Sequence, residues 1–446
     1  MRIRFWGTRG SLAKPGPDTL RYGGNTSCVE VRTASGTLIV LDCGTGAHAL
    51  GQALAAGGAP VRGHLMITHT HWDHIQGFPF FAPLFSRGNE WDIYAPGGLG
   101  QHLERTLAGQ MEYTYFPVTL QQLGATIRYH DLVEGSFMLE DIRVVTKYLN
   151  HPALALGYRL EADSVAFVYS SDHEPHVPWI SSDSVAGAVG ATPAHHEDLR
   201  HVEFLAGADL VIHDAQYDLT EYREKVGWGH TPAEYAVDYA VAARASRLGL
   251  YHHDPMRNDA GVDALLETCR QRAAAAGGNV EVFAATEGAV IELSHGAGAT
   301  AAPARPAVAP AAGARAGTIL IADDDPAIVM LLRATLESDG FRVVTASDGH
   351  AALDLARAER PALVLLDWQM PGASGVEVTR ALRRDANPDV RALPVVLITA
   401  QSGAENTAAG FAAGVTDYLT KPFRPAHVRA RVRAWLLRRA ESPTDT

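Results

Sequence analysis

The chain has 446 residues, 47% of them hydrophobic and 20% charged, enough apolar material for two or three folding units with proper cores, which excludes a disordered chain. Its 38 basic residues stand against 50 acidic ones, and the net charge of −12 argues against a surface built to grip nucleic-acid phosphates. No apolar run approaches the ~18 residues of a membrane helix, and the opening Met1-Arg2-Ile3-Arg4-Phe5-Trp6-Gly7 lacks a signal peptide's apolar stretch, so a cytoplasmic protein without a membrane partner is expected. Three cysteines (Cys28, Cys43, Cys269) are too few for a disulfide framework, whereas 20 histidines point to nitrogen and oxygen metal ligands.

Strand-like segments open the chain at Arg2–Trp6, Cys28–Arg32, Thr37–Leu41 and His64–Thr68. The last runs directly into His69-Thr70-His71-Trp72-Asp73-His74, three imidazoles and one carboxylate within six residues. Side chains two apart on an extended turn can converge on one cation, while Asp73 and His74 turn toward a second position; this is a ligand set for zinc, iron or manganese. Asp42, in Leu41-Asp42-Cys43-Gly44, reads as a support for that loop or as a plain turn carboxylate. The apolar run Val165–Tyr169 reads as a further strand, ending just before Asp172, and helices are expected at Pro232–Leu248 and Val262–Ala276. His48, His64, His102, His130, His195, His196 and His201 have no partner spacing and read as surface or core residues.

Residues 296–316 are dominated by Ala, Pro and Gly without an apolar period, the composition of a semi-stiff linker. The expected organisation is therefore a unit over 1–295, the linker, a second unit over 317–438, and a tail over 439–446. In the second unit five apolar strands (Thr318–Ala322, Phe341–Thr345, Ala362–Leu366, Pro394–Thr399, Val415–Leu419) alternate with helical patterns, which argues for a doubly wound parallel sheet. Asp323 and Asp324, Asp367, Thr399 and Lys421 fall at the carboxyl ends of these strands, where open α/β sheets bind ligands. Such a carboxylate cluster suits Mg²⁺.

His69-x-His71-x-Asp73-His74 resembles the signature of the metallo-β-lactamase superfamily, over about residues 1–295. Phe5-Trp6-Gly7-Thr8-Arg9-Gly10-Ser11 and Tyr22-Gly23-Gly24-Asn25-Thr26-Ser27 resemble its phosphodiesterase branch, which includes ribonuclease Z and cyclic-phosphate phosphodiesterases. The resemblance implies an α/β fold, a four-layer αβ/βα sandwich, with two Zn²⁺ (or Mn²⁺ or Fe²⁺) at one edge. It assigns His69, His71 and His151 to one metal, Asp73, His74 and His252 to the other, and Asp172 between them; His253 is the alternative to His252. His213-Asp214 and Gly229-His230-Thr231-Pro232 resemble a carboxylate–histidine pair beside the scissile phosphate, although Asp214 stands where Glu is usual. Asp73, His230 and Asp214 are the catalytic candidates, with His230 as proton donor. His151 and Asp172 are only 21 residues apart, which leaves no room for a tRNA-binding arm between them.

The second unit resembles the receiver domain of response regulators, a flavodoxin-like (βα)5 fold. By that resemblance Asp323 and Asp324 hold Mg²⁺, Asp367 accepts a phosphoryl group, Lys421 and Thr399 bind it, and Thr399 and Tyr418 form a switch pair. A sensor histidine kinase or phosphotransfer protein is the implied partner. The expected function is a response regulator with a dinuclear hydrolase output acting on a small phosphodiester and controlled by Asp367 phosphorylation, through docking or a homodimer. The alternatives are hydrolysis of a thioester or lactam on the same metals, and a non-catalytic metal-stabilised signalling module.

Overall fold

The computed structural model describes residues 1–97, 103–176, 195–294, 317–399, 413–421, 423 and 425–441. The expected linker lies outside the described residues, as does 442–446; residues 439–441 of the expected tail instead end the helix Pro425–Glu441. Fourteen described strands precede the linker: β1 (Arg2–Gly7), β2 (Cys28–Arg32), β3 (Leu38–Leu41), β4 (Arg62–Met66), β5 (Glu90–Pro96), β6 (Thr126–Leu132), β7 (Gly135–Leu139), β8 (Ile142–Leu149), β9 (Ala155–Ala162), β10 (Val165–Ser170), β11 (Leu210–Asp214), β12 (Arg247–Tyr251), β13 (Glu281–Ala284) and β14 (Val290–Glu292). They form two seven-stranded sheets, ordered β14-β1-β2-β3-β4-β5-β6 and β13-β12-β11-β10-β9-β8-β7.

Period-two alternation explains the layering. Ile3, Phe5, Val29, Val31, Ile39 and Leu41 of one sheet share an apolar cluster with Leu156, Tyr158, Leu160, Phe167, Leu210 and Ile212 of the other. The alternate residues face outward onto helices. Val40, Leu65 and Ile93 pack with Ala47 and Leu50 of the helix Gly46–Ala56. Val168, Val211 and Leu248 pack with Ala236 and Val237 of Ala233–Ala242 and with Leu265 of Asp259–Ala275. Four layers result, helix, sheet, sheet, helix. Phe167 is fully buried between the sheets, and trimming it to alanine would cost about 3–5 kcal/mol.

The topology also gathers the chemistry. β3, β4 and β5 run parallel, as do β10, β11 and β12. Their carboxyl ends release Asp42, His69, Asp172, Asp214 and His252 at one edge of the sandwich. The expected helix Pro232–Leu248 is shorter than its sequence suggests. It stops at Ala242, Arg244 takes a left-handed φ of 54°, and β12 begins at Arg247. Leu248 pairs with Val211 in the parallel ladder and is fully buried there, an environment that overrides its helical preference.

After the linker come β15 (Thr318–Ala322), β16 (Arg342–Ala346), β17 (Leu363–Asp367), β18 (Val395–Thr399) and β19 (Asp417–Thr420), all parallel and ordered β16-β15-β17-β18-β19. Helices cover both faces over two apolar clusters. The strand order reverses between β15 and β17, and that crevice is where Asp323 and Asp367 emerge. Asp325 accepts a hydrogen bond from the Ala327 amide and Pro326 follows it, a helix start legible in the sequence.

Candidate functional site

Two groups of ligand atoms sit side by side at the sandwich edge. Those of His69, His71 and His151 lie within 4.8 Å of one another, and so do those of Asp73, His74, Asp172 and His252. The loop is pinned by Asp42, which accepts from the Thr68 amide at 2.7 Å and from the Thr68 hydroxyl at 3.0 Å. His71 precedes the short helix Trp72–Ile75, so Asp73 and His74 rotate away from His69 and His71 in its first turn. Asp172 lies between the groups: Oδ1 is 3.2 Å from His74 Nε2 and 3.3 Å from His252 Nε2, while Oδ2 is 3.7 Å from His69 Nε2 and 3.8 Å from His151 Nε2.

Three histidines are oriented through their second nitrogen. Nδ1 of His74 meets Asp42 at 2.8 Å, that of His151 the Gly229 carbonyl at 2.9 Å, and that of His252 the Gln216 side-chain oxygen at 3.0 Å. Each thus turns Nε2 inward, the arrangement that supports metal-ligating imidazoles. Nε2 of His69 and of His74 are buried without a hydrogen-bond partner, a cost that a bound cation removes. The donor set and these orphaned nitrogens fit two divalent cations. His253 faces elsewhere, its Nε2 2.9 Å from the Ala285 carbonyl, so of the two neighbours it is His252 that joins the cluster. Gly229 has φ +90°, and a Cβ there would lie 2.3 Å from His151 Nδ1, so the approach requires glycine. Asp42, Asp172 and His252 also have left-handed backbones, with φ of 58°, 55° and 60°.

Burial and crowding among imidazoles hold His69 well below the usual histidine range, and burial takes His151 down to about 3. Burial opposes ionisation of Asp73 and Asp172, yet the neighbouring His74 and His252 outweigh it and hold both carboxylates well below their ordinary range. Burial opposes charge on His74 as well, but Asp73, Asp172 and Asp42 raise it well above the usual histidine range, so a cation that binds there displaces its proton.

His230 flanks this cluster. Its ring is 5.0 Å from that of His252 and 5.5 Å from that of His151, and its Nδ1 meets Asp214 Oδ2 at 2.9 Å. Asp214 therefore spans the distance despite its shorter side chain. Burial alone would lower the His230 pKa, but Asp214, Asp172 and Asp73 raise it to about 9.

Other polar residues here carried no sequence signal. Glu174 is buried and accepts from the Gly227 and Gly229 amides at 2.6 and 2.7 Å and from the Tyr222 hydroxyl at 2.8 Å, fastening the loop that carries His230. His201, which lacks partner spacing and reads as a surface or core residue, is buried and stacked on His173 at 3.9 Å, with Nε2 2.9 Å from that of His213. His195 is likewise buried and stacked on His176 at 5.0 Å. These contacts join residues at irregular separations, so no spacing announces them.

In the second unit Lys421 Nζ lies 2.6 Å from Asp367 Oδ1 and 2.9 Å from Asp323 Oδ2. The Gln369 amide donates to Asp367 Oδ2, and the Lys421 amide to the Thr399 carbonyl. Burial opposes the charge on Lys421, but the two carboxylates outweigh it and raise its pKa. Thr399 is buried, and Asp324 is exposed beside the cluster. Among the described residues no helix is long and apolar enough to cross a membrane.

Residues 37–253 match the family model of the beta-lactamase superfamily domain, and residues 319–433 that of the response regulator receiver domain. The DNA-binding response regulator MtrA of Mycolicibacterium smegmatis is 39% identical over 127 residues, which is 28% of this chain and 54% of that protein. The chain thus spans about half the length of the curated relatives it matches. Among solved structures, the metallo-beta-lactamase fold protein YhfI from Bacillus subtilis is 17% identical, with a TM-score of 0.44 over 65% of this chain and 98% of that one. The short form of human tRNase Z is 23% identical, with a TM-score of 0.43 over 66% of this chain and 99% of that one.

Proposed function

We propose that this chain, which carries a beta-lactamase superfamily domain followed by a response regulator receiver domain, is a response regulator whose output is a dinuclear metal-dependent phosphodiesterase. The observation that carries the reading is Asp172 between two groups of ligand atoms, with a carboxylate-paired His230 beside them. His69, His71 and His151 would hold one cation, Asp73, His74 and His252 the other, and Asp172 would touch both. Zn²⁺, Mn²⁺ or Fe²⁺ pairs, when bound, supply an activated water and neutralise charge on phosphoryl oxygens.

The chain's own groups do the rest. Asp42, Gly229 and Gln216 fix three imidazoles in the tautomer that leaves Nε2 free. Ser11 donates its amide to Asp73 at 2.7 Å and fixes that carboxylate. Asp214 orients His230, which delivers a proton to the leaving oxygen. The substrate is a small cyclic phosphate or nucleotide phosphodiester. In the receiver, Asp323 and Asp324 would bind Mg²⁺, and a histidine kinase or phosphotransfer protein would phosphorylate Asp367, with Lys421 and Thr399 binding the phosphoryl oxygens. Elemental analysis of the purified protein, with a panel of bis(p-nitrophenyl) phosphate, cyclic nucleotides, a thioester and a β-lactam, tests this. Two cations per chain with cleavage of phosphodiesters alone is expected; cleavage of the thioester or lactam alone overturns the substrate class.

A further inference from the structure

We propose that the receiver reads its phosphorylation state into the ligand cluster through one part-buried contact, Arg431 against His176, and through the short segment Asp172–His176. The proposal rests on the reading above that this cluster is the output site.

On the receiver side the contact surface is Asp417 and Tyr418 of β19 and Arg431 and Trp435 of the helix Pro425–Glu441, all buried. Arg431 Nη2 donates to Asp417 Oδ2, which also accepts from Trp435 Nε1 at 2.6 Å. Nη1 reaches across to His176 Nε2 at 2.7 Å. A guanidinium has donors only, so Nε2 must accept and the proton sits on Nδ1. That nitrogen donates to Asp198 Oδ1 at 2.9 Å, which also accepts from the His176 amide and from the Tyr239 hydroxyl. Ala434 of the same helix joins the apolar cluster between the two large sheets. The surface that fits the receiver is therefore a shaped, buried, polar socket with an apolar margin.

Three residues of the segment behind His176 are each tied to a different part of the cluster. The Glu174 amide donates to the carbonyl of Asn150, next to His151, its carbonyl accepts from Asn150 Nδ2, and its carboxylate accepts from the amides of Gly227 and Gly229. The His173 amide donates to Asp214, the partner of His230. Asp172 touches both ligand groups. A displacement at His176 thus reaches Asp172, His151 and His230 together.

The other end leads to Asp367. The Tyr418 ring lies 6.4 Å from that of Trp368, the residue after Asp367, and 6.1 Å from that of His195. His195 is stacked on His176 with an interplanar angle of 11°. Phosphorylation must rearrange Lys421, which bonds Asp367, and Lys421 directly follows β19. Contiguity alone does not establish coupling, so the test measures coupling directly.

The full-length chain is examined by amide hydrogen exchange with and without beryllofluoride and Mg²⁺, which mimic the phosphoryl group. Exchange over 172–176 and 227–231 is expected to change in the wild type and to stay fixed in His176→Ala. That variant leaves the Arg431–Asp417 pair intact, so the receiver keeps its own contacts; Arg431→Ala is expected to behave the same way. Linkage is reciprocal, so Zn²⁺ should shift beryllofluoride affinity, read by tryptophan fluorescence, by about 5–150-fold in the wild type and not in either variant. Unchanged exchange in the wild type, or an undiminished response in His176→Ala, overturns the proposal. Elemental analysis separates the two readings. A first unit that binds no Zn²⁺, Mn²⁺ or Fe²⁺ defeats the hydrolase assignment, while the exchange comparison, which needs only Mg²⁺ at the receiver, still decides the contact.

Discussion

His74 Nδ1 and Asp42 Oδ2 lie 2.8 Å apart, both residues fully buried and separated by 32 positions in the chain. Asp42 also accepts from the Tyr169 hydroxyl at 2.9 Å and from Thr68, so one carboxylate aligns a histidine proposed as a ligand, the loop and the opposite sheet. Supporting carboxylates of this kind are worth about 10–100-fold in metal affinity. Asp42→Asn is expected to weaken the more loosely held cation by that factor in a chelator competition. Unaltered affinity would reduce Asp42 to a loop fastener.

Removing ligands should show in stoichiometry. His69→Ala and Asp172→Ala each delete a donor atom and are expected to lower the cation content below two per chain and to abolish hydrolysis of bis(p-nitrophenyl) phosphate. His253→Ala, whose Nε2 faces a backbone carbonyl, should keep the full content. Full activity in His69→Ala would contradict the ligand assignment.

His230→Ala should slow turnover by about 10²–10⁴-fold, the usual range for general acid–base catalysis, with cation content unchanged. A p-nitrophenolate leaving group needs little protonation, so the loss should be smaller for it than for an alkoxide. Equal losses for both would speak for a binding role.

Acetyl phosphate should change the hydrolysis rate of the wild type by about 5–150-fold, the range of typical coupling free energies. Asp367→Asn should not respond. Equal rates in both proteins, with and without the phosphodonor, would make the receiver a localisation or partner-binding device.

Mild acid should destabilise the first unit. Burial is the leading cause that holds His201 well below the usual histidine range, and it lowers His213 too. In the unfolded chain both would protonate below about pH 6.5. The unfolded state then binds more protons, so stability is complete above that pH and declines as pH falls toward the folded values. Each such histidine adds up to about 1.4 kcal/mol per pH unit. Urea unfolding at pH 7.5 and 5.5 should show the decline, and His201→Gln should lessen it. A flat response would mean that these histidines already share protons in the fold.

What was legible in the sequence follows from how local each feature is. His69 to His74 are contiguous, so their chemistry shows in one glance along the chain. Asp323, Asp367, Thr399 and Lys421 are far apart but mark the ends of regularly alternating strands. Glu174, Gln216 and the stacked His173 and His201 were invisible, because strand pairing and helix packing bring them together at no fixed period. The inner strands β5, β8, β9 and β11 are also absent from the expected elements, and β6 and β7 carry the weakest signal. They close the edges of their sheets, and their half-exposed residues lack the apolar alternation of the inner strands. The helix after Pro232 is shorter than its sequence suggests because Ala, Val and Leu serve a buried strand as well as a helix.

Asp42, Asp172 and His252 share the left-handed backbone that L-residues avoid. Such positions cost of order 1–3 kcal/mol each. Two of the three, Asp172 and His252, are also proposed cation ligands. Selection for a working site and selection for a heat-resistant chain therefore pull these positions in opposite directions. A library screened only for survival at high temperature, with metals withheld, is expected to accumulate Gly or Asn at 42, 172 and 252 and to discard catalysis first. The same screen with cations supplied should keep all three, so metal supply sets which of these histories the sequence records.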